Sequence, residues 1–551
     1  MTGSHPFPRR RFLAGTGAVT AGGIIGPVLL DPVTGARAGV RTAAGGPLPT
    51  GLFTLGVASG DPSPDGVVLW TRLAPKPTEG GGMPQQDVIV RWQVAGDGRF
   101  GRAVQAGTTV ARPDLGHSVH VEVKGLLSDR EYFYRFRVGQ EISPVGRTRT
   151  APSARSIPRR LRFAFASCQS WQDGYYTPYE HMIQEDLAFV LFLGDYIYET
   201  RASKNGVRPH EGADEPYTLD QYRNRHGQYR TDKCLQAVHA AHPWIVTLDD
   251  HEIDNNWADE VPQDTVVQTP EQFRARRTAA FQAYYEHMPL RRESLPVGLD
   301  MQLYRRLGFG RLVSFHVLDT RQYRSDQPLN EHQANLASVT MTGAEQERWL
   351  TRGLTRSGTR WNILANQVMI AQSDGALGAA RYFGDFDQWD GYRVQRARLM
   401  RLFGSGLVHN PVVVTGDRHA TWVSDLKLDF DDPASATVGA ELVGPSISSG
   451  GDSDQAAFHR RWDPLEVENL HWKYWDGRRG YFVCDVRPDH MISSLRVVDT
   501  VRKPTGATIK TAAEFRVQSG KPGIEVVTHD TPPTSQSMLL RPSAPDNDQP
   551  L

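Results

Sequence analysis

The chain has 551 residues, with 62 Lys and Arg against 62 Asp and Glu, so its formal net charge is zero. That length exceeds one ordinary domain and allows a large core with appended modules. A balanced charge excludes the global basic field of a nucleic-acid-binding module, and none is expected. Three cysteines, Cys168, Cys234 and Cys484, are too few and odd in number to form a disulfide framework.

Residues 1–38 read as an export signal and are set aside from the fold. Arg9-Arg10-Arg11-Phe12-Leu13 precedes an uncharged Ala/Gly/Val-rich stretch over residues 14–30, and Ala36-Arg37-Ala38 follows as a small-x-small cleavage pattern. Paired arginines before Phe-Leu resemble a twin-arginine (Tat) signal, so the Tat export machinery is an expected partner. Glycine content and Pro27 disfavour a permanent span, and no later segment is apolar enough for one. The mature chain is therefore expected without a transmembrane helix, secreted to the extracellular space or cell wall.

Residues 46–152 alternate like short strands separated by Pro, Gly and Asp turns, as in Val88-Ile89-Val90-Arg91-Trp92 and Glu131-Tyr132-Phe133-Tyr134-Arg135. This spacing predicts an N-terminal β-sandwich resembling a fibronectin type III module. From residue 153 the pattern turns to α/β. Continuous apolar runs at 187–193, 244–248, 312–318, 361–365 and 411–415 suit strands buried on both faces. Helices open between them at Thr218-Leu219-Asp220-Gln221, a capping box, at Thr269-Pro270-Glu271-Gln272, with Pro at the first helical position, and at Thr342-Gly343-Ala344-Glu345. One catalytic α/β domain is expected over 153–520, followed by a Pro/Ser-rich tail over 521–551.

Four short motifs sit just past apolar runs: Ser167-Cys168-Gln169, Gly194-Asp195-Tyr196-Ile197-Tyr198-Glu199, Asp249-Asp250-His251-Glu252 and Gly416-Asp417-Arg418-His419. Any one alone reads as an acidic turn. Together they read as one dispersed metal site, because open α/β sheets hold ligands on loops beyond strand ends. Asp195 suits a bridging role, since one carboxylate can span two cations. Tyr198, three residues on, reaches the same place through a turn-like step. Its phenol has a pKa of about 10 and needs a strongly acidic cation such as Fe(III) to ionise at neutral pH. Asp417 and His419, spaced i and i+2, point the same way if the loop is extended. Arg418 then faces elsewhere, toward a carboxylate or a bound phosphate.

The order of these motifs resembles the calcineurin-like metallophosphoesterase superfamily, and within it the PhoD-like alkaline phosphatases. Ser167-Cys168 stands where the superfamily has Asp-x-His, and Gly194-Asp195-Tyr196-Ile197-Tyr198 keeps the second motif. Asp249-Asp250-His251-Glu252 replaces Gly-Asn-His-Glu and is followed by Asn255-Asn256-Trp257. Asn366-Gln367 stands in place of the lone His loop, and Gly416-Asp417-Arg418-His419 replaces Gly-His-x-His. The stretch Ala58-Ser59-Gly60-Asp61-Pro62 also resembles that family's N-terminal domain.

The resemblance implies a metallophosphoesterase-type β-sandwich flanked by helices, with Fe(III) on Cys168, Asp195, Tyr198 and His419. It also implies Ca(II) on Asp195, Asp250, either Asn255 or Asn256, and Asp417. Exchanging imidazoles for carboxylates and amides suits the harder ion. His251 is implied as a proton or hydrogen-bond donor to phosphate, with Arg418 a second phosphate candidate. The expected reaction is hydrolysis of phosphate mono- or diesters by a metal-activated hydroxide. Phospholipase D action is the alternative, and a non-catalytic secreted binding protein a more remote one.

Overall fold

The computed structural model describes residues 46–530 except 213, 385 and 451–453. The export signal expected over 1–38 and the part of the expected tail beyond 530 lie outside the described residues. Two sheets pack face to face at the centre. The first runs in the spatial order Lys521–His529, Ile509–Gln518, His490–Val498, Gly480–Val486, Leu161–Ala166, Phe189–Phe192 and Trp244–Val246. The last three strands are parallel, and the first four form an antiparallel meander joined to them at Leu161–Ala166.

The second sheet runs Arg305–Phe309, Val313–Val317, Trp361–Ala365, Pro411–Thr415, Thr437–Val443, Thr421–Lys427 and Trp472–Asp476, parallel in its middle and antiparallel at both edges. Strands buried on both faces account for the unbroken apolar runs in the sequence. Between the sheets lies a core that includes Phe163, Phe189, Phe315, Ile363, Val412 and Phe482. There Phe163 stacks on Phe189 at 5.3 Å and meets Phe315 edge-on at 5.1 Å. Helices cover the outer faces. Leu219–Arg230, Lys233–Ala241 and Pro270–His287 pack on the first sheet, and Gly343–Thr355 and Arg393–Gly404 on the second.

Thr218 and Thr269 form reciprocal capping boxes with Gln221 and Gln272. Thr342 does not. Its side chain makes no capping bond and instead accepts from Gln395 Nε2 at 2.8 Å, yet the helix opens there as expected.

The N-terminal segment is a sandwich, but not a freestanding one. Val57–Ser63, Gly66–Arg72 and Ser118–Val123 form one layer, facing Val88–Ala95, Ala103–Ala111, Glu131–Val138 and Gly146–Arg149 across a core of Val57, Leu69, Val90 and Tyr134. Val57–Ser63 also pairs in parallel with Trp244–Val246, at Gly60 and Trp244, which makes the N-terminal layer a continuation of the first catalytic sheet. The boundary expected at residue 520 also moves. Lys521–His529 is a strand paired with Ile509–Gln518, so the polar composition there marks a sheet edge rather than the start of a tail.

Candidate metal centre

The four motifs meet at the C-terminal ends of the parallel strands. Cys168 follows Leu161–Ala166, Asp195 follows Phe189–Phe192, Asp250 and His251 follow Trp244–Val246, and Asp417 and His419 follow Pro411–Thr415. Two glycines allow the loops to touch. A Cβ on Gly194 (φ 106°) would stand 2.4 Å from Asp249 Cβ, and one on Gly416 would stand 2.7 Å from Ser167 Oγ. The glycine preceding each aspartate is therefore fixed by close approach of a second motif.

Cys168, Asp195, Asp417 and His419 all adopt left-handed backbone conformations, with φ of 58°, 57°, 63° and 54°, and so does Asn256 at 52°. Such conformations cost about 1–3 kcal/mol each in non-glycine residues and persist where surrounding structure imposes them. They also correct one expectation. The backbone at Asp417 and His419 is left-handed rather than extended, and the two side chains join different donor groups, Asp417 with Asp249 and Asp250 and His419 with Cys168 and Asp195.

One donor from each of Cys168, Asp195 and His419 lies within 4.8 Å of the other two, and the same holds for Asp195, Asp250 and His251 and for Asp249, Asp250 and Asp417. Tyr198 joins the first group. Its hydroxyl donates to Asp195 Oδ2 at 2.8 Å, lies 2.9 Å from His419 Nε2, and accepts from Ser449 Oγ at 2.7 Å. Asn255 and Asn256 are anchored through their backbones. Asn255 N donates to Glu199 Oε1 at 3.0 Å and Asn256 N to Asp250 Oδ2 at 2.8 Å.

His251 stacks on Tyr198 at 4.1 Å, and its Nδ1 lies 2.8 Å from Glu199 Oε2. Burial opposes its charge, but Glu199, Asp250 and Asp195 overcome that and hold the imidazole protonated well above its ordinary range. Arg418 meets no carboxylate among the described residues. Its guanidinium lies over Trp422 at 5.0 Å and Trp462 at 5.9 Å, beside the cleft.

The donor set fits cations. Asp195 Oδ1, Asp249 Oδ2 and Asp250 Oδ1 are buried without a hydrogen-bond partner, a costly state that a bound cation relieves. Burial and then Asp195 push both the Cys168 thiol and the Tyr198 phenol up, so neither ionises unless a cation balances the charge. Burial and then Asp250 push Asp417 up to about 8, which again reports acids crowded together.

Sequence reasoning missed several residues that build this centre. Glu252 accepts from the backbone N–H groups of Asp195, Tyr196 and Asp249, at 3.2, 2.6 and 2.8 Å, and so pins two motifs together. Arg321 is fully buried among the carboxylates. It donates from Nε to Asp249 Oδ1 at 2.6 Å and from Nη1 and Nη2 to the two oxygens of Asp387 at 2.8 Å each. Arg321 follows the strand Val313–Val317 as Asp319-Thr320-Arg321, so the strand-end rule that found the ligands also reaches it.

Comparison with known proteins agrees with this geometry. A family model described as PhoD-like phosphatase matches residues 163–495, and one described as the N-terminal domain of PhoD-like phosphatases matches residues 42–152. Alkaline phosphatase D of Bacillus subtilis (strain 168) is 46% identical over 540 residues, covering 96% of this chain and 90% of that protein. A solved structure of PhoD matches with a TM-score of 0.84 at 47% identity, covering 88% of this chain and 94% of that one. The chain belongs to the PhoD-like phosphatase family and is a phosphoric ester hydrolase.

Proposed function

We propose that the chain hydrolyses phosphate mono- or diesters at a mixed centre. Cys168, Asp195, Tyr198 and His419 hold Fe(III). Asp195, Asp250, Asp417 and either Asn255 or Asn256 hold Ca(II). The observation that carries this reading is the meeting of thiol, phenol and imidazole around one oxygen of Asp195, while the other oxygen is buried and unpaired. Thiolate and phenolate favour a trivalent ion, whereas an all-oxygen set favours Ca(II). Bound cations would neutralise phosphate oxygens and lower the pKa of an attacking water.

The chain's own residues supply the rest. His251, kept charged by Glu199, donates a proton to the departing oxygen or a hydrogen bond to phosphate. Arg418, braced on two tryptophans, presents a cation to the part of the substrate beyond the reacting phosphate. No helix among the described residues is long and apolar enough to cross a membrane. The paired arginines near the N-terminus, Arg9-Arg10, support export through the Tat route.

A substrate panel with metal analysis tests the reading. Turnover of monoester and diester substrates with iron and calcium present is the expected result. Turnover restricted to phosphatidylcholine would shift the assignment to phospholipase D action, and retained metal without turnover on any ester would refute hydrolysis.

A further inference from the structure

Three carboxylates, Asp249, Asp250 and Asp417, bring oxygens within 4.8 Å of one another, the spacing of a cation site. The guanidinium of Arg321 sits against them. Its Nε is 2.6 Å from Asp249 Oδ1, and its Nη2 is 3.7 Å from Asp250 Oδ1 and 3.9 Å from Asp417 Oδ1. The other edge clasps Asp387, which Arg324 also pairs at 2.9 Å. Arg321, Asp249, Asp250 and Asp387 are all essentially excluded from water, so none of these charges is screened by solvent.

We propose that Arg321 is a resident cation of the metal centre: it occupies the position a further divalent ion would take and commits Asp249 Oδ1 to itself rather than to metal. This rests on the metal-centre reading above and deepens it. Arginine suits the task because its planar fork stays charged when buried and satisfies two carboxylates at once. A guanidinium also cannot leave, so the local charge stays balanced while metals load. Asp249 differs from its neighbour Asp250 in how closely it meets Arg321. Asp249 Oδ1 takes a hydrogen bond from it at 2.6 Å, whereas Asp250 Oδ1 lies 3.7 Å away, and each aspartate keeps one buried oxygen without a hydrogen bond. Arg321 is a positioning residue, acting through the carboxylates it holds.

The test is metal content of the full-length chain, loaded with calcium and iron, desalted and analysed by mass spectrometry beside wild type. Arg321→Gln is expected to take up one more divalent cation per chain, Arg321→Lys to match wild type, and Asp249→Asn to match wild type with its metals intact. A folded Arg321→Gln with the wild-type count would overturn the proposal, as would loss of a metal from Asp249→Asn. Should Arg321→Gln fail to fold, as judged by a missing cooperative melt, the Asp249→Asn count decides alone. A wild-type chain binding neither metal would instead refute the metal-centre reading from which the proposal starts.

Discussion

Two polar regions lie deep in this molecule, and they are built on opposite terms. In the cleft, like-charged carboxylates face one another, several oxygens have no partner, and four putting-together residues (Cys168, Asp195, Asp417 and His419) have left-handed backbones. Between the N-terminal sandwich and the helices, His226, His239 and His287 are packed near Arg72 or Arg230, His120 stacks on Tyr285, and His242 lies near Arg147. There burial, the leading cause for each histidine, holds every ring neutral. His226 stacks on His287 at 4.9 Å, and His239 on Trp244 at 3.7 Å. The backbone in this second region carries little strain, and its rings serve as packing surface. Burial of polar side chains alone therefore does not mark a reactive site. Convergence of like charges on a strained scaffold does.

The largest expected effect separates the regions by reagent. Asp195→Asn neutralises the carboxylate that belongs to two of the donor groups and should lower kcat by roughly 10³-fold or more, with loss of iron, while the melting curve stays cooperative. A fully active Asp195→Asn protein would erase the distinction. Next, His251→Gln should cost about 10²-fold in kcat with metal content unchanged, the size expected for a proton donor. If metal is lost with it, His251 is a ligand instead.

Acid should act on the other region. The His120 and His242 rings are held down at about 4, below the value of about 6.5 in an unfolded chain. Their neutral forms contribute full stability above about pH 6.5, and that contribution is lost as pH falls toward 4. At pH 5 each is expected to cost about 2 kcal/mol, read as a falling Tm between pH 7 and 5 in the metal-loaded protein. His242→Phe should flatten that fall, and an unchanged slope would show that these rings are not the acid-sensitive element. The smallest effect is reserved for Arg418→Ala: a several-fold rise in KM, about 1 kcal/mol, with kcat and metals retained.

Much of the cleft was legible in the sequence because ligand chemistry restricts residue types. Cys168, Asp195, Tyr198, Asp250, Asp417 and His419 stand just beyond apolar runs, and the fold brings them together. Arg321 stands in the same kind of place, but an arginine is not a metal donor, so a search for donors passes over it. The left-handed turns at Asp417 and His419 were hidden because neither residue type demands that conformation. The pairing of Gly60 with Trp244 joins segments far apart in the chain, which no local pattern reports. The edge strand Lys521–His529 reads as tail because none of its residues is buried and Pro522 and Gly523 interrupt its pattern. The histidines of the second region are spread over a strand (His120), three helices (His226, His239 and His287) and a helix C-cap (His242), so no one local pattern reports their common burial.

The most direct test of the centre is a visible spectrum taken with metal analysis on the purified chain. Iron held by the Tyr198 phenolate should absorb visible light, iron and calcium should both be present, and Tyr198→Phe should lose the band. A colourless, iron-free and fully active protein would contradict the account.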